Sequence, residues 1–163
     1  MKKILFAAII ALIPAAFIHA QENVPDISLK TISGETVNLR TLADTSSVPI
    51  VISFWATWCA PCMKELDNIS EVYEDWQSET GVRLYAVSID DSRSKARVPA
   101  VVNGKGWDYT VLYDDNQDLK RAFNITNPPH AILVYKGKVI FQHNGYKPGD
   151  EDELYEKIKS LHS

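Results

Sequence analysis

Between residues 27 and 39 apolar side chains alternate with polar ones, at Ile27, Leu29, Val37 and Leu39, around the turn dipeptide Ser33-Gly34. A period of two broken by a turn predicts a short β-hairpin. A short helical turn is expected over 41–44. The run 49–56 (PIVISFWA) is apolar almost throughout, the pattern of a strand covered on both faces of a parallel sheet. From 60 to 80 the period changes. Cys62, Leu66, Ile69, Tyr73 and Trp76 recur at spacings of three and four, and Gly81 supplies a stop, which predicts an amphipathic helix. A second buried strand is expected over 82–89 (VRLYAVSI), after which Asp90-Asp91-Ser92 can cap the next element. Residues 95–102 read as helix interrupted at Pro99, 109–113 as a short edge strand, and 118–123 as a short helix. Residues 131–135 and 139–142 form a hairpin around Lys136-Gly137-Lys138, and 151–161 an amphipathic helix with Leu154, Ile158 and Leu161 on one face. This order gives an α/β protein with a parallel crossover in the middle and an antiparallel pair near the end.

The first twenty residues stand outside that pattern. Lys2 and Lys3 precede an apolar run over 4–18 broken only by Pro14, and small residues recur at Ala15, Ala16 and Ala20. This is the layout of a secretory signal peptide, with cleavage near Ala20. The run of about 15 apolar residues falls short of the ~20 needed to span the hydrocarbon core as an anchor. Residues 21–163 are then expected to be a single domain in the periplasm or another extracytoplasmic space. Setting Lys2 and Lys3 aside leaves 15 basic residues (17 less two) against 21 acidic, a net charge of −6. No Lys/Arg cluster offers the electrostatic footprint of a nucleic-acid-binding protein.

Two cysteines remain to explain, Cys59 and Cys62. A bridge across so short a loop removes little entropy from the unfolded chain, so it makes a poor staple. A pair that opens and closes suits the spacing better. If a strand ends near Trp55-Ala56 and a helix begins near Cys59, the free N–H groups and dipole of the helix N-terminus favour a thiolate on Cys59. Cys62 lies one turn on, facing the same way, and Pro61 sits in the first turn, where its missing N–H costs nothing. Cys59 is thus the expected nucleophile and Cys62 the resolving thiol. Half of a zinc site is the competing explanation, but zinc takes about four Cys/His ligands. His130, His143 and His162 show no ligand spacing.

The stretch Phe54-Trp55-Ala56-Thr57-Trp58-Cys59-Ala60-Pro61-Cys62 resembles the active-site segment of thioredoxin-fold proteins. Its continuation Met63-Lys64-Glu65-Leu66 narrows the resemblance to the TlpA/ResA type of extracytoplasmic thiol–disulfide oxidoreductase. More loosely, the resemblance runs from about Val24 to the C-terminus and takes in Tyr113-Asp114-Asp115-Asn116. It implies a thioredoxin fold, a central mixed sheet flanked by helices, with an added N-terminal β-hairpin. It also implies a monomer without cofactor that acts on protein thiols and disulfides and is recharged by a membrane electron donor.

The resemblance further implies a cis-proline that packs against the disulfide. Counting back eight residues from Gly137 gives Pro129, with Asn124 and Ile125 at a turn and an aliphatic position. Pro128 departs from the family, in which the preceding residue pairs backbone to backbone with the substrate. Proline has no N–H to donate, so docking is expected to be weaker or rearranged. His130 either replaces that polar contact or simply faces solvent. Trp58, Pro61, Pro128, Pro129 and His130 form the expected substrate groove, while Trp55 belongs to packing. Thioredoxins carry a buried aspartate six residues before the first cysteine, and Ser53 stands there. In the TlpA/ResA type a glutamate three residues after the second cysteine resembles a substitute, which is Glu65. In line with Ile69, Val72 and Trp76, at the margin of the apolar stripe, its pKa would rise through desolvation and suit it to the proton of Cys62. The alternative is an ordinary solvated helix residue. Asp67 replaces a proline that often kinks this helix.

A dithiol enzyme acting as reductase heads the possibilities. An oxidant donating its disulfide uses the same residues. A copper-binding chaperone or a redox-inert module on the same fold stands further off.

Overall fold

A computed structural model describes residues 23–162, so the expected signal peptide and its cleavage point near Ala20 lie outside the described residues. The opening alternation gives β1 (Ser28–Thr31) and β2 (Thr36–Asn38). Leu39, expected to end the second strand, instead begins helix α1 (Leu39–Thr45), because the Asn38 side chain accepts from the Thr41 N–H at 2.8 Å and caps a helix there. Strand β3 (Ile50–Trp55) is buried at all six positions. Helix α2 (Ala60–Thr80) follows and stops at Gly81, whose φ of 69° is the left-handed conformation glycine adopts without cost.

Strand β4 (Arg83–Ser88) leads through a 3₁₀ turn into α3 (Val98–Lys105). Pro99 does not interrupt this helix, because it sits in the first turn, where no backbone donor is needed. Then come β5 (Thr110–Tyr113), α4 (Asp118–Ala122), β6 (His130–Tyr135), β7 (Lys138–Asn144) and α5 (Asp150–Lys159). Lys136 and Gly137 both have positive φ, the two-residue turn that matches strand twist.

These strands form one mixed sheet in the order β2-β1-β5-β4-β3-β6-β7. β3, β4 and β5 run parallel, and β6 lies antiparallel to β3. One expectation fails here. β5 is not an edge strand, since β1 pairs antiparallel with it and carries the N-terminal hairpin outward. The sequence of 109–113 could not reveal this, because the covering strand lies some eighty residues upstream. Helix α2 joins parallel neighbours β3 and β4 and packs on α5, where the Trp76 and Tyr155 rings stack at 4.9 Å. Asp67 accepts from Lys105 Nζ at 2.6 Å and Trp107 Nε1 at 3.0 Å. The residue that replaces the expected proline therefore anchors an unbroken α2 to the end of α3.

Candidate active site

A tight turn carries the chain from β3 into α2. The Cys59 N–H donates to Ala56 O at 3.0 Å, closing the four residues Ala56–Cys59. Cys59 is the N-cap of α2, and the Cys62 N–H donates to its Sγ at 3.3 Å. Where serine or aspartate usually supplies a capping oxygen, a sulfur takes the orphan donor. Pro61 follows in the first turn. Cys59 and Cys62 form a disulfide with Cα atoms 5.3 Å apart, within the usual range for such bonds. Cys62 is wholly buried, whereas Cys59 keeps a little exposed surface. An attacking group from solvent therefore meets Cys59 first.

Glu65 lies one turn beyond Cys62 and is only 3% exposed. It is not at the margin of the apolar stripe. It shares the covered face of α2 with Leu66, Ile69 and Tyr73, while Val72 turns to solvent. Beneath it on β3 is Ser53, also buried, whose Oγ donates to Glu65 Oε2 at 3.2 Å. Burial pushes the carboxyl up to about 7, against the modest opposing pull of Ser53, and the nearby charges of Asp150 and Glu151 add to the rise. Two of the positions at which the sequence departs from the thioredoxin pattern, Ser53 and Glu65, are thus in direct contact. Where thioredoxins carry a carboxyl on the strand, this chain has the Ser53 hydroxyl, and its buried carboxyl, Glu65, lies on the helix above.

The Pro128–Pro129 peptide bond is cis, and Pro129 is buried. The antiparallel register pairs Phe54 with His130, and one further step brings Pro129 level with Trp55, at the end of the strand that leads to the cysteines. Pro128 is half-buried. His130 is engaged across the strand, its Nε2 lying 3.0 Å from Gln142 Oε1. Asn124 adopts a positive φ of 55° at the turn before this loop. Trp55 packs edge-on against Trp107 at 5.1 Å inside the core. Trp58 does the opposite: it is 59% exposed and lines an open groove with Ile89, Asp91, Arg93, Arg97 and Gln117.

Two features of this site went unread in the sequence. Asp90 was expected only as a possible cap, but Asp91 is the residue that receives the Arg93 N–H, while Asp90 points inward to Thr57. An Asp-Asp dipeptide carries no periodicity that separates the two roles. The second is a tie between α2 and the start of α5. Asn68 Nδ2 donates to Tyr146 Oη at 2.6 Å and to Glu151 Oε1 at 3.1 Å, and Tyr146 Oη donates to Glu151 Oε2 at 2.8 Å. It brings acidic residues to the neighbourhood of Glu65.

Residues 20–146 match the AhpC/TSA family. The chain belongs to that family. Within it, this AhpC/TSA member is 28% identical over 134 residues to the thiol-disulfide oxidoreductase ResA of Bacillus anthracis, covering 82% of this chain and 74% of the relative. It is 33% identical over 112 residues to ResA of Oceanobacillus iheyensis, covering 68% and 56%. Among solved structures, a thioredoxin-like protein from Porphyromonas gingivalis superposes with a TM-score of 0.74 at 47% identity, over 85% of this chain and 90% of the other. A putative thiol:disulfide interchange protein DsbE from Chlorobium tepidum shares the fold, with a TM-score of 0.76 at 23% identity over 88% and 97%. The fold is thioredoxin-like with an added hairpin, and this AhpC/TSA chain is a thiol–disulfide oxidoreductase of the TlpA/ResA type.

Proposed function

We propose that the protein is exported and reduces disulfides in other proteins, with Cys59 as nucleophile, Cys62 as resolving thiol and Glu65 as the group that takes the proton of Cys62. The observation that carries this reading is a buried carboxyl of raised pKa one helical turn from the buried cysteine. In the reduced enzyme the Cys59 thiolate attacks a client disulfide, forming a mixed disulfide and releasing one client thiolate. The Cys62 thiol then passes its proton to the Glu65 carboxylate. The resulting thiolate attacks Cys59 Sγ, closing the Cys59–Cys62 bond and expelling the second client thiolate. The client gains two electrons and the enzyme loses two, so a dithiol donor at the membrane must restore it. Trp58, Pro61, Pro128, Pro129 and His130 face the client in this reading, and Pro128 offers a carbonyl but no N–H. Among the described residues no helix is long and apolar enough to cross a membrane. Release from the signal peptide near Ala20 would leave the catalytic residues in the extracytoplasmic space.

Cys59→Ser should abolish thiol-dependent insulin reduction, and Cys62→Ser should accumulate mixed disulfides that can be recovered with the client attached. Equilibration against glutathione decides the direction. A potential near the ~−120 mV of strong periplasmic oxidants would overturn the reductase reading.

A further inference from the structure

Asp90 is fully buried at the end of β4, and no ion pair with it occurs among the described residues. Its carboxylate receives hydrogen bonds instead. The Thr57 N–H donates to Oδ2 at 2.8 Å, the Thr57 hydroxyl to Oδ1 at 2.6 Å, and the Ser88 hydroxyl to Oδ2 at 2.9 Å. Its own N–H donates to Ser88 Oγ at 3.2 Å, so Ser88, the last residue of β4, holds both the backbone and the carboxylate of Asp90. Thr57 is the second residue of the turn Ala56–Cys59. The turn is closed by Cys59 N–H to Ala56 O, and just before it the Ile89 N–H reaches Trp55 O at 2.9 Å. The turn is therefore held at its entry, at Thr57 and at its exit. Its last two residues are the exposed Trp58 and the N-cap Cys59.

A sulfur benefits from a helix N-terminus only if it stays in line with the first free N–H groups, since the effect falls off within a turn. We infer that Asp90 and Thr57 are positioning residues, which clamp the turn so that Cys59 Sγ stays at the α2 N-terminus and the Trp58 ring stays turned outward. The inference rests on the assignment of Cys59 as nucleophile. Neither residue touches a client disulfide; both act through the backbone of residues 57–59.

The test separates geometry from charge. Thr57→Val keeps the Asp90 carboxylate and removes one of the two bonds that hold the turn, and Thr57→Ser keeps both. Asp90→Asn keeps the size and removes the charge. In a Cys62→Ser background, the rate of Cys59 alkylation by iodoacetamide is followed against pH, alongside the melting temperature. With Thr57→Val the midpoint should move to higher pH and the rate at pH 7 fall about fivefold, the scale of helix-terminus stabilisation. Thr57→Ser should recover most of it, and Asp90→Asn, which cannot accept from both Thr57 donors, should move the midpoint the same way. A lower midpoint in Asp90→Asn with no effect of Thr57→Val would make Asp90 a charge rather than a clamp. Lower melting temperatures with midpoints and rates within about twofold of the parent would make the contact merely structural. Either outcome overturns the inference. Insulin reduction surviving Cys59→Ser would instead remove the assignment beneath it, and that control is read independently.

Discussion

Two buried carboxylates flank the redox pair, and they are solvated in different ways. Glu65 on α2 accepts one side-chain hydrogen bond, from Ser53 at 3.2 Å. Asp90, at the end of β4, accepts three, all at 2.9 Å or less. A carboxylate stripped of water and given few donors holds its proton more tightly, and Glu65 does so to about 7. It can exchange that proton with a neighbouring thiol near neutral pH. The oxygens of Asp90 are occupied by donors on fixed backbone and hydroxyls, so it acts by where it holds the turn. In the proposed reading the first acid carries a proton and the second serves as a strut.

Asp90→Ala breaks the comparison at its stronger end. It leaves the Thr57 N–H and hydroxyl and the Ser88 hydroxyl without their acceptor, and should cost about 4 kcal/mol in urea denaturation. A loss under about 1 kcal/mol, no more than one ordinary hydrogen bond, would mean that Asp90 is no strut.

Glu65→Gln comes next, with an effect that depends on pH. Folded Glu65 keeps its proton up to about 7, while the unfolded chain releases it near the ordinary glutamate value of 4.5. Between these values the folded state binds more protons, so its stability falls as pH rises, by on the order of 3 kcal/mol at pH 8. Gln retains the Ser53 contact without that slope, so the variant should be the more stable at pH 8 and equal to the parent near pH 4. Disulfide closure, followed by single-turnover kinetics, should meanwhile slow about a hundredfold and lose its inflection near neutral pH. Unchanged closure would leave Glu65 buried but idle.

Ser53→Ala is the smallest of the three. It removes the contact that stabilises the Glu65 carboxylate, worth about 1 kcal/mol. The closure inflection should move to higher pH, with the rate above it preserved. A shift to lower pH would show that Ser53 steadies the protonated form instead.

Much of this was legible in the chain, and the legible part is local. The spacing of Cys62, Leu66, Ile69, Tyr73 and Trp76 placed α2 within its observed ends, because helix periodicity and a glycine stop are written in neighbouring residues. The same holds for the uninterrupted apolar run of β3. Glu65 was recognisable by its position after Cys62, but its burial was not, because that depends on β3 below and α5 alongside. β5 looked like an edge for the same reason: the strand that covers it comes from the N-terminal hairpin. The inward contact of Asp90 was not legible, since its partner Thr57 lies 33 residues away and neither residue belongs to a repeating pattern.

The N-terminal hairpin has one more consequence, in what the molecule avoids. By covering β5 it leaves β2 as one outer strand, with three residues and so few free amides to offer, and β7 as the other. β7 begins at Lys138, where Asn23 already pairs with it. Short and lysine-bearing borders discourage sheet-to-sheet adhesion. For a protein proposed to handle chains whose disulfides are open or misplaced, the three-residue border at β2 gives sticky strands little to zip onto on that side of the sheet.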